Sequence, residues 1–251
     1  MTGCEASGHV TGSSVGALVV HGFTGTPSSV REVGEAIAAA GFDVEIPRLP
    51  GHGTSVEDML NTDWSAWFAE VARVRAALEE RCERVVLVGQ SMGGTLVLAS
   101  ALSQPPAGVV CINPLTRMRS DEELALVDEL IEDGLDVVPG GSSDIADPDG
   151  ADVSYPGTPL RPLRSLLHDG VAPITARFGD IVAPLRLFTS RQDHVVTPED
   201  SEHLAATFGG PVEHTWLERS FHVATRDFDR HVVIDGTVDF MHRISTERNT
   251  R

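Results

Sequence analysis

Short apolar runs at 17–20, 84–88, 108–112 and 185–190, each bounded by glycine or polar residues, alternate with longer segments of helical period. Runs that short and that continuous read as strands buried on both faces. Helices are predicted over Pro27 to Ala40, closed by Gly41, then over Asp63 to Glu80, Met92 to Leu102 and Pro198 to Phe208. Thr26-Pro27 and Thr197-Pro198 both read as an N-cap followed by proline at the first helical position. Strand and helix in turn imply an α/β fold, with a mainly parallel central sheet covered by helices on both faces. At 251 residues the chain is expected to form a single domain, 1–251.

The rhythm breaks between about Thr116 and Val171. An acidic amphipathic segment, Asp121 to Asp133, leads into a stretch rich in Pro, Gly, Asp and Ser over 138–150. An irregular insertion this long is uncommon in a compact domain unless it covers a site. Residues 116–171 are therefore predicted to form a small cap or lid above the sheet. Its apolar positions also offer a surface for a homodimer.

Composition excludes several chemistries. All 19 basic residues are arginine, while 37 acidic residues bring the formal net charge to −18. Without lysine there can be no P-loop, no kinase strand lysine, no pyridoxal Schiff base and no Ser-x-x-Lys acylase. So acidic a surface repels nucleic acid and anionic membranes. No apolar run reaches the ~18 residues of a membrane span, so no integral membrane segment is expected. Cys4, Cys82 and Cys111 are too few for a disulfide framework and form no C-x-x-C pair. Together with a start that lacks the pattern of a secretory leader, this predicts a cytoplasmic protein. The ten histidines show no metal-ligand spacing, so neither a metal nor another cofactor is expected.

The chemistry concentrates where strands end. Gly89-Gln90-Ser91-Met92-Gly93 is G-x-S-x-G between an apolar strand and an apolar helix, the setting of a nucleophile elbow. There the Ser91 hydroxyl is pushed out above the sheet, and glycine two before and two after avoids collisions with neighbouring backbone. The N-H of Met92, opening the helix, is one oxyanion donor; the turn after Val20, His21-Gly22-Phe23, supplies the second from Phe23. Asp193, just past the strand 185–190, is placed to accept from a histidine Nδ1-H. His222, after the last predicted strand, is the candidate base, and the chain order Ser91, Asp193, His222 suits this architecture. His21 and His194 read as structural. His9 falls in the tail, His203 and His242 in helical patterns and His214 in a strand.

On these residues the chain resembles the α/β-hydrolase serine esterases of the bacterial monoacylglycerol lipase and carboxylesterase family. The resemblance runs through HGFTGTP (21–27), PRLPGHGT (47–54), GQSMGGT (89–95), DHVVTP (193–198) and HVATRDFD (222–229). It implies a catalytic triad of Ser91, Asp193 and His222, oxyanion amides from Phe23 and Met92, and a mobile cap with apolar residues lining an acyl pocket. Gln90 and Phe221 depart from the family, which often has Leu at the first and Gly or Tyr at the second. Substrate contacts are expected from Gly22, Gln90, Asn113, Tyr155, Pro156, Val195 and Val196. Close relatives carry Tyr-Glu-Lys-Thr-Pro where this chain has Tyr155 to Pro159. The resemblance thus puts Pro156 in place of a carboxylate that could bind glycerol hydroxyls, and implies a weaker preference for glycerol esters; the alternative is that Asp152 or a water in the cap replaces the missing acceptor.

The expected activity is hydrolysis of monoesters, monoacylglycerol-like or with other medium or long acyl chains, through an acyl-enzyme and without cofactor or metal. The expected partner is a small-molecule acyl ester. An acyltransferase using the same acyl-enzyme and a non-catalytic ligand-binding protein of the same fold are the alternatives. Dehalogenases and epoxide hydrolases carry Asp at the elbow, where this chain has Ser91.

Overall fold

The computed structural model describes residues 4–140 and 143–246. The strands are β1 (Ser7–His9), β2 (Val15–Val20), β3 (Asp43–Ile46), β4 (Arg84–Gln90), β5 (Gly108–Ile112), β6 (Val137–Pro139), β7 (Gly157–Pro159), β8 (Leu185–Ser190) and β9 (Val212–Leu217). Between them run α1 (Arg31–Ala39), α2 (Val56–Leu60), α3 (Trp64–Glu79), α4 (Met92–Ser103), α5 (Asp121–Glu132), α6 (Leu160–Ser165), α7 (Ala172–Ile174), α8 (Pro198–Thr207) and α9 (Arg230–Thr246). The main sheet has the order β1-β3-β2-β4-β5-β8-β9. Its strands pair in parallel, except that β1 lies antiparallel to β3 at the edge. This is the α/β architecture that the alternating pattern predicts.

Side chains alternate across the sheet with period two, and each face builds its own core. Leu18, Val20, Leu87, Val109 and Leu187 face α3 and α4, packing with Trp67, Val71, Leu78 and Leu96. Ala17, Val19, Val86, Val88, Val110, Ile112 and Phe188 face the other way, against Val33 and Ile37 of α1 and Val233, Phe240 and Met241 of α9. Because both faces are covered, these strands read as continuous apolar runs.

The expected helices form with small shifts at their ends. Pro27–Ser29 is a 3-10 turn capped by the Thr26 side chain, and α1 starts only at Arg31. Gly41, at φ +93, then turns the chain into β3. Asp63 caps α3 through a bond to the Ala66 N-H. Thr197 stands at the N-cap of α8 with Pro198 opening the helix, as expected, though its side chain makes no capping bond. Strands β1 and β3 were not predicted: β3 alternates Asp43 and Glu45 with Val44 and Ile46, and β1 has no apolar run. Accordingly His9 lies in an edge strand rather than in a tail.

The inserted segment is tied down where it begins. Its first residue, Thr116, donates from its N-H and hydroxyl to buried Asp200, and its carbonyl accepts from the Thr175 hydroxyl. Within it, α5 opens with a full capping box from Ser120 and Glu123 and buries none of its residues. The short β6 and β7 pair antiparallel beside it. Residues 141 and 142 of the Pro/Gly/Asp/Ser-rich stretch lie outside the described residues. Among the described residues, no helix is long and apolar enough to cross a membrane.

Candidate active site

The carboxyl ends of β2 and β4 and the loops that follow β8 and β9 meet around one cavity of about 180 Å3, in the position where ligands of open α/β sheets bind. Ser91 sits at the turn between β4 and α4 with φ 55 and ψ −121. Among the described residues, the non-glycine residues at positive φ are Thr24, Ser91 and Asn113, all just past strands of this edge. Each such conformation costs roughly 1–3 kcal/mol and persists because the surroundings impose it. At Ser91 the imposing bond runs from its N-H to the Ile112 carbonyl, 3.0 Å. The two elbow glycines are dictated by contact. A Cβ on Gly89 would stand 2.2 Å from the Gly93 oxygen, and one on Gly93 2.2 Å from the Val20 oxygen.

The turn 21–25 packs against this elbow. A Cβ at Gly22 would meet the Ser91 Cβ at 3.2 Å, and Phe23 lines the cavity beside Ser91. Met92 begins α4, so its N-H belongs to the first turn, which has no intrahelical acceptor. Beneath the turn, His21 donates from Nδ1 to the Gly22 carbonyl at 2.9 Å and accepts the Leu49 N-H on Nε2 at 3.3 Å. Burial, reinforced by neighbouring His52, depresses its pKa to about 3, and His52 is likewise lowered to about 4 by burial. Both rings are neutral at ordinary pH, and both support the turn rather than reach the cavity.

On the other side, His222 Nδ1 donates to Asp193 Oδ2 at 2.7 Å, with both residues buried. The second carboxylate oxygen of Asp193 accepts the N-H groups of Val195 and Val196 at 2.9 and 2.8 Å, which fixes the acid in the loop after β8. His222 and Ser91 line the same cavity.

Sequence reasoning missed what holds His222 in place. The consecutive amides of Arg219, Ser220, Phe221 and His222 all donate to carboxylates: the first two to Asp229, the third to Asp227 and the fourth to Asp144. Asp227 and Asp229 lie in the very stretch 222–229 that carries the resemblance, but nothing in their spacing says which amides they meet. Asp144 comes from the inserted segment. Its Oδ1 accepts from the His194 ring at 2.9 Å, and its Oδ2 from the His194 and His222 amides, both at 3.1 Å. One inserted side chain thereby touches the acid-bearing loop and the histidine-bearing loop together.

The expected substrate contacts divide. Gly22, Gln90, Tyr155 and Val195 line the cavity. Asn113 does not: its side chain is consumed in a bracket, donating to the Ser190 hydroxyl and the His222 carbonyl while accepting the Ser190 N-H. Val196 is buried in the core beneath the loop. Pro156 also falls outside the lining: it is exposed, and its carbonyl accepts the Gly140 N-H. The inserted segment contributes Ser143, Asp144, Asp152, Ser154 and Thr158 to a wall whose exposed surface is mainly apolar.

The alpha/beta hydrolase family matches residues 17–240. A thermostable monoacylglycerol lipase of Bacillus sp. (strain H-257) is 37% identical over 228 residues, covering 90% of each chain. A carboxylesterase of Bacillus subtilis (strain 168) is 24% identical over 235 residues, 93% of this chain and 94% of that one. Among solved structures, a metagenome-derived lipolytic enzyme superposes with a TM-score of 0.90 at 36% identity, covering 97% of this chain and 99% of the other. The monoacylglycerol lipase of Paleococcus ferrophilus shares the fold, with a TM-score of 0.71 at 20% identity over 95% of this chain and 98% of its own.

Proposed function

Because the chain belongs to the alpha/beta hydrolase family, we propose that it is a serine hydrolase of carboxylic monoesters, with Ser91 as nucleophile, His222 as base and Asp193 as the acid that orients the base. The observation carrying this reading is the 2.7 Å bond between His222 Nδ1 and Asp193 in a cavity that His222 shares with strained Ser91. Asp193 holds the ring in the tautomer that leaves Nε2 free to accept a proton, and it stabilises the imidazolium that results. Ser91 Oγ attacks the ester carbonyl while His222 takes its proton. Charge on the carbonyl oxygen is met by the N-H groups of Phe23 and Met92. His222 then protonates the leaving alcohol, and water repeats the sequence on the acyl-enzyme.

Relatives named for monoacylglycerol and carboxylic ester hydrolysis support esters as the substrate class. In this reading residues 116–171 act as a cap, since the segment lays Ser143, Asp144, Asp152 and Tyr155 over the cavity. A homodimer through the cap would cover Leu126, which is 54% exposed on α5. A cytoplasmic location suits Cys4, Cys82 and Cys111, all of them free thiols. The decisive test is stoichiometric labelling of Ser91 by a fluorophosphonate, together with turnover of a nitrophenyl ester. Labelling elsewhere, or turnover that survives Ser91→Ala, would refute the assignment.

A further inference from the structure

The ionisable and amide groups on the cavity wall are nearly all engaged by the protein itself. Asp144 accepts on both oxygens, Gln90 meets the Thr225 hydroxyl at 2.6 Å, and the Tyr155 hydroxyl donates to the Gly51 carbonyl and accepts the Thr54 N-H. Asp152 differs. Its Oδ1 is buried and has no hydrogen-bond partner. Among the described residues the other buried polar atoms in that condition belong to Ser7, His52 and His168, none of which lines this cavity.

A carboxylate oxygen withdrawn from water without a donor is unfavourable, and burial accordingly pushes the Asp152 carboxyl up. The Val153 N-H, Arg226 and His222 act in the opposite direction. None of them completes Oδ1. The nearby Arg226 guanidinium is committed to the Ala151 carbonyl and to Glu32. A molecule that fills the cavity and carries a donor would complete Oδ1. For an ester whose carbonyl sits at Ser91, an alkyl acyl chain carries no O-H or N-H, whereas the alcohol arm can.

Building on the ester-hydrolase reading, we propose that Asp152 is a specificity-determining residue. It accepts a hydrogen bond from an O-H or N-H on the alcohol arm and so favours esters of polyols or amino alcohols over esters of simple alkanols. Asp152 supplies the acceptor that Pro156, exposed and without a carboxylate, does not.

The test compares kcat/KM of the full chain for three esters of one acyl group: ethyl, with no donor; glycerol, with neutral donors; and choline, with a positive charge but no donor. A hydrogen bond to a charged acceptor corresponds to roughly ten- to a hundred-fold in this ratio. Asp152→Ala is expected to lower the glycerol ester about ten-fold or more beyond its effect on the ethyl ester, with Asp152→Asn in between and the choline ester following the ethyl ester. An equal loss on glycerol and ethyl esters would overturn the proposal, and so would a choline ester that falls with the glycerol ester, because charge would then be what is read. If the unmodified protein turned over none of the three, the ester reading would fall and take this one with it. The fluorophosphonate labelling rate of each variant separates loss of the site from loss of preference.

Discussion

Replacing Asp227 by Asn tests whether the inserted segment and the His222 loop are held by one buried carboxylate. Asp227 is fully buried and accepts four backbone amides: Ala146 and Phe221 on Oδ2, both at 2.8 Å, and Asp147 and Phe228 on Oδ1, at 2.9 and 2.7 Å. Asparagine has the same shape but one acceptor oxygen. It can keep one of these pairs while its NH2 faces the N-H groups of the other. Each buried donor left unpaired costs about 1–3 kcal/mol, and relaxation recovers part of that, so Asp227→Asn is expected to lose about 2–4 kcal/mol. For a chain of this size that is a fall in Tm of roughly 5–15 °C. Because Phe221 precedes His222 and residues 146–147 follow Asp144, kcat for a nitrophenyl ester should fall as well, and Ser91 should label more slowly. The assays are thermal and urea unfolding, with turnover measured on the same preparations. A Tm within about 2 °C of the unmodified protein would refute the reasoning, because four short bonds to one carboxylate would then carry almost no weight.

Ser91→Ala is expected to abolish ester turnover, by up to about a million-fold, while preserving the unfolding profile. His222→Ala should be nearly as severe and Asp193→Asn less so, as single-variant kinetics would show. Gly93→Ala should sharply reduce the yield of soluble protein, because the 2.2 Å approach to the Val20 oxygen is to backbone at the centre of the sheet; normal yield and Tm would argue against the elbow geometry. Acidification should weaken the fold before most carboxylates titrate. His21 and His52 have folded pKa values of about 3 and about 4, below the 6.5 of an unperturbed ring, so the unfolded chain binds more protons below that value. Stability is then fully present above about pH 6.5 and is lost as pH falls toward 4, by up to ~1.4 kcal/mol per pH unit for each ring. Urea midpoints between pH 7 and 4.5 measure this slope, and His52→Gln should reduce it by about half.

How much of this was legible in the chain follows from where each signal resides. Strands β2, β4, β5 and β8 announce themselves because a strand covered on both faces must be apolar throughout. Ser91 is legible because its strained turn requires glycine at 89 and 93, and that requirement is written in adjacent residues. Asp193 and His222 could be placed by chain order alone, since each follows a strand of the parallel sheet. Strands β1 and β3 gave no such sign: β1 is a three-residue edge strand without an apolar run, and in β3 Asp43 and Glu45 interrupt the run, Asp43 being buried yet satisfied by the Thr11, Gly12 and Ser13 N-H groups and by Arg81.

Sequence had no means of assigning Asn113, Pro156 or the carboxylates at 144, 227 and 229, and offered Asp152 only as an alternative acceptor. Whether Asn113 faces a substrate or braces the His222 loop depends on Ser190, 77 residues away, and whether a residue of the inserted segment lines the cavity depends on how that segment lies over it. Polar groups of this kind carry no periodicity. Their roles are set by which distant amides the folded chain brings within 3 Å, and a buried carboxylate becomes a clamp or an open acceptor according to whether those amides arrive.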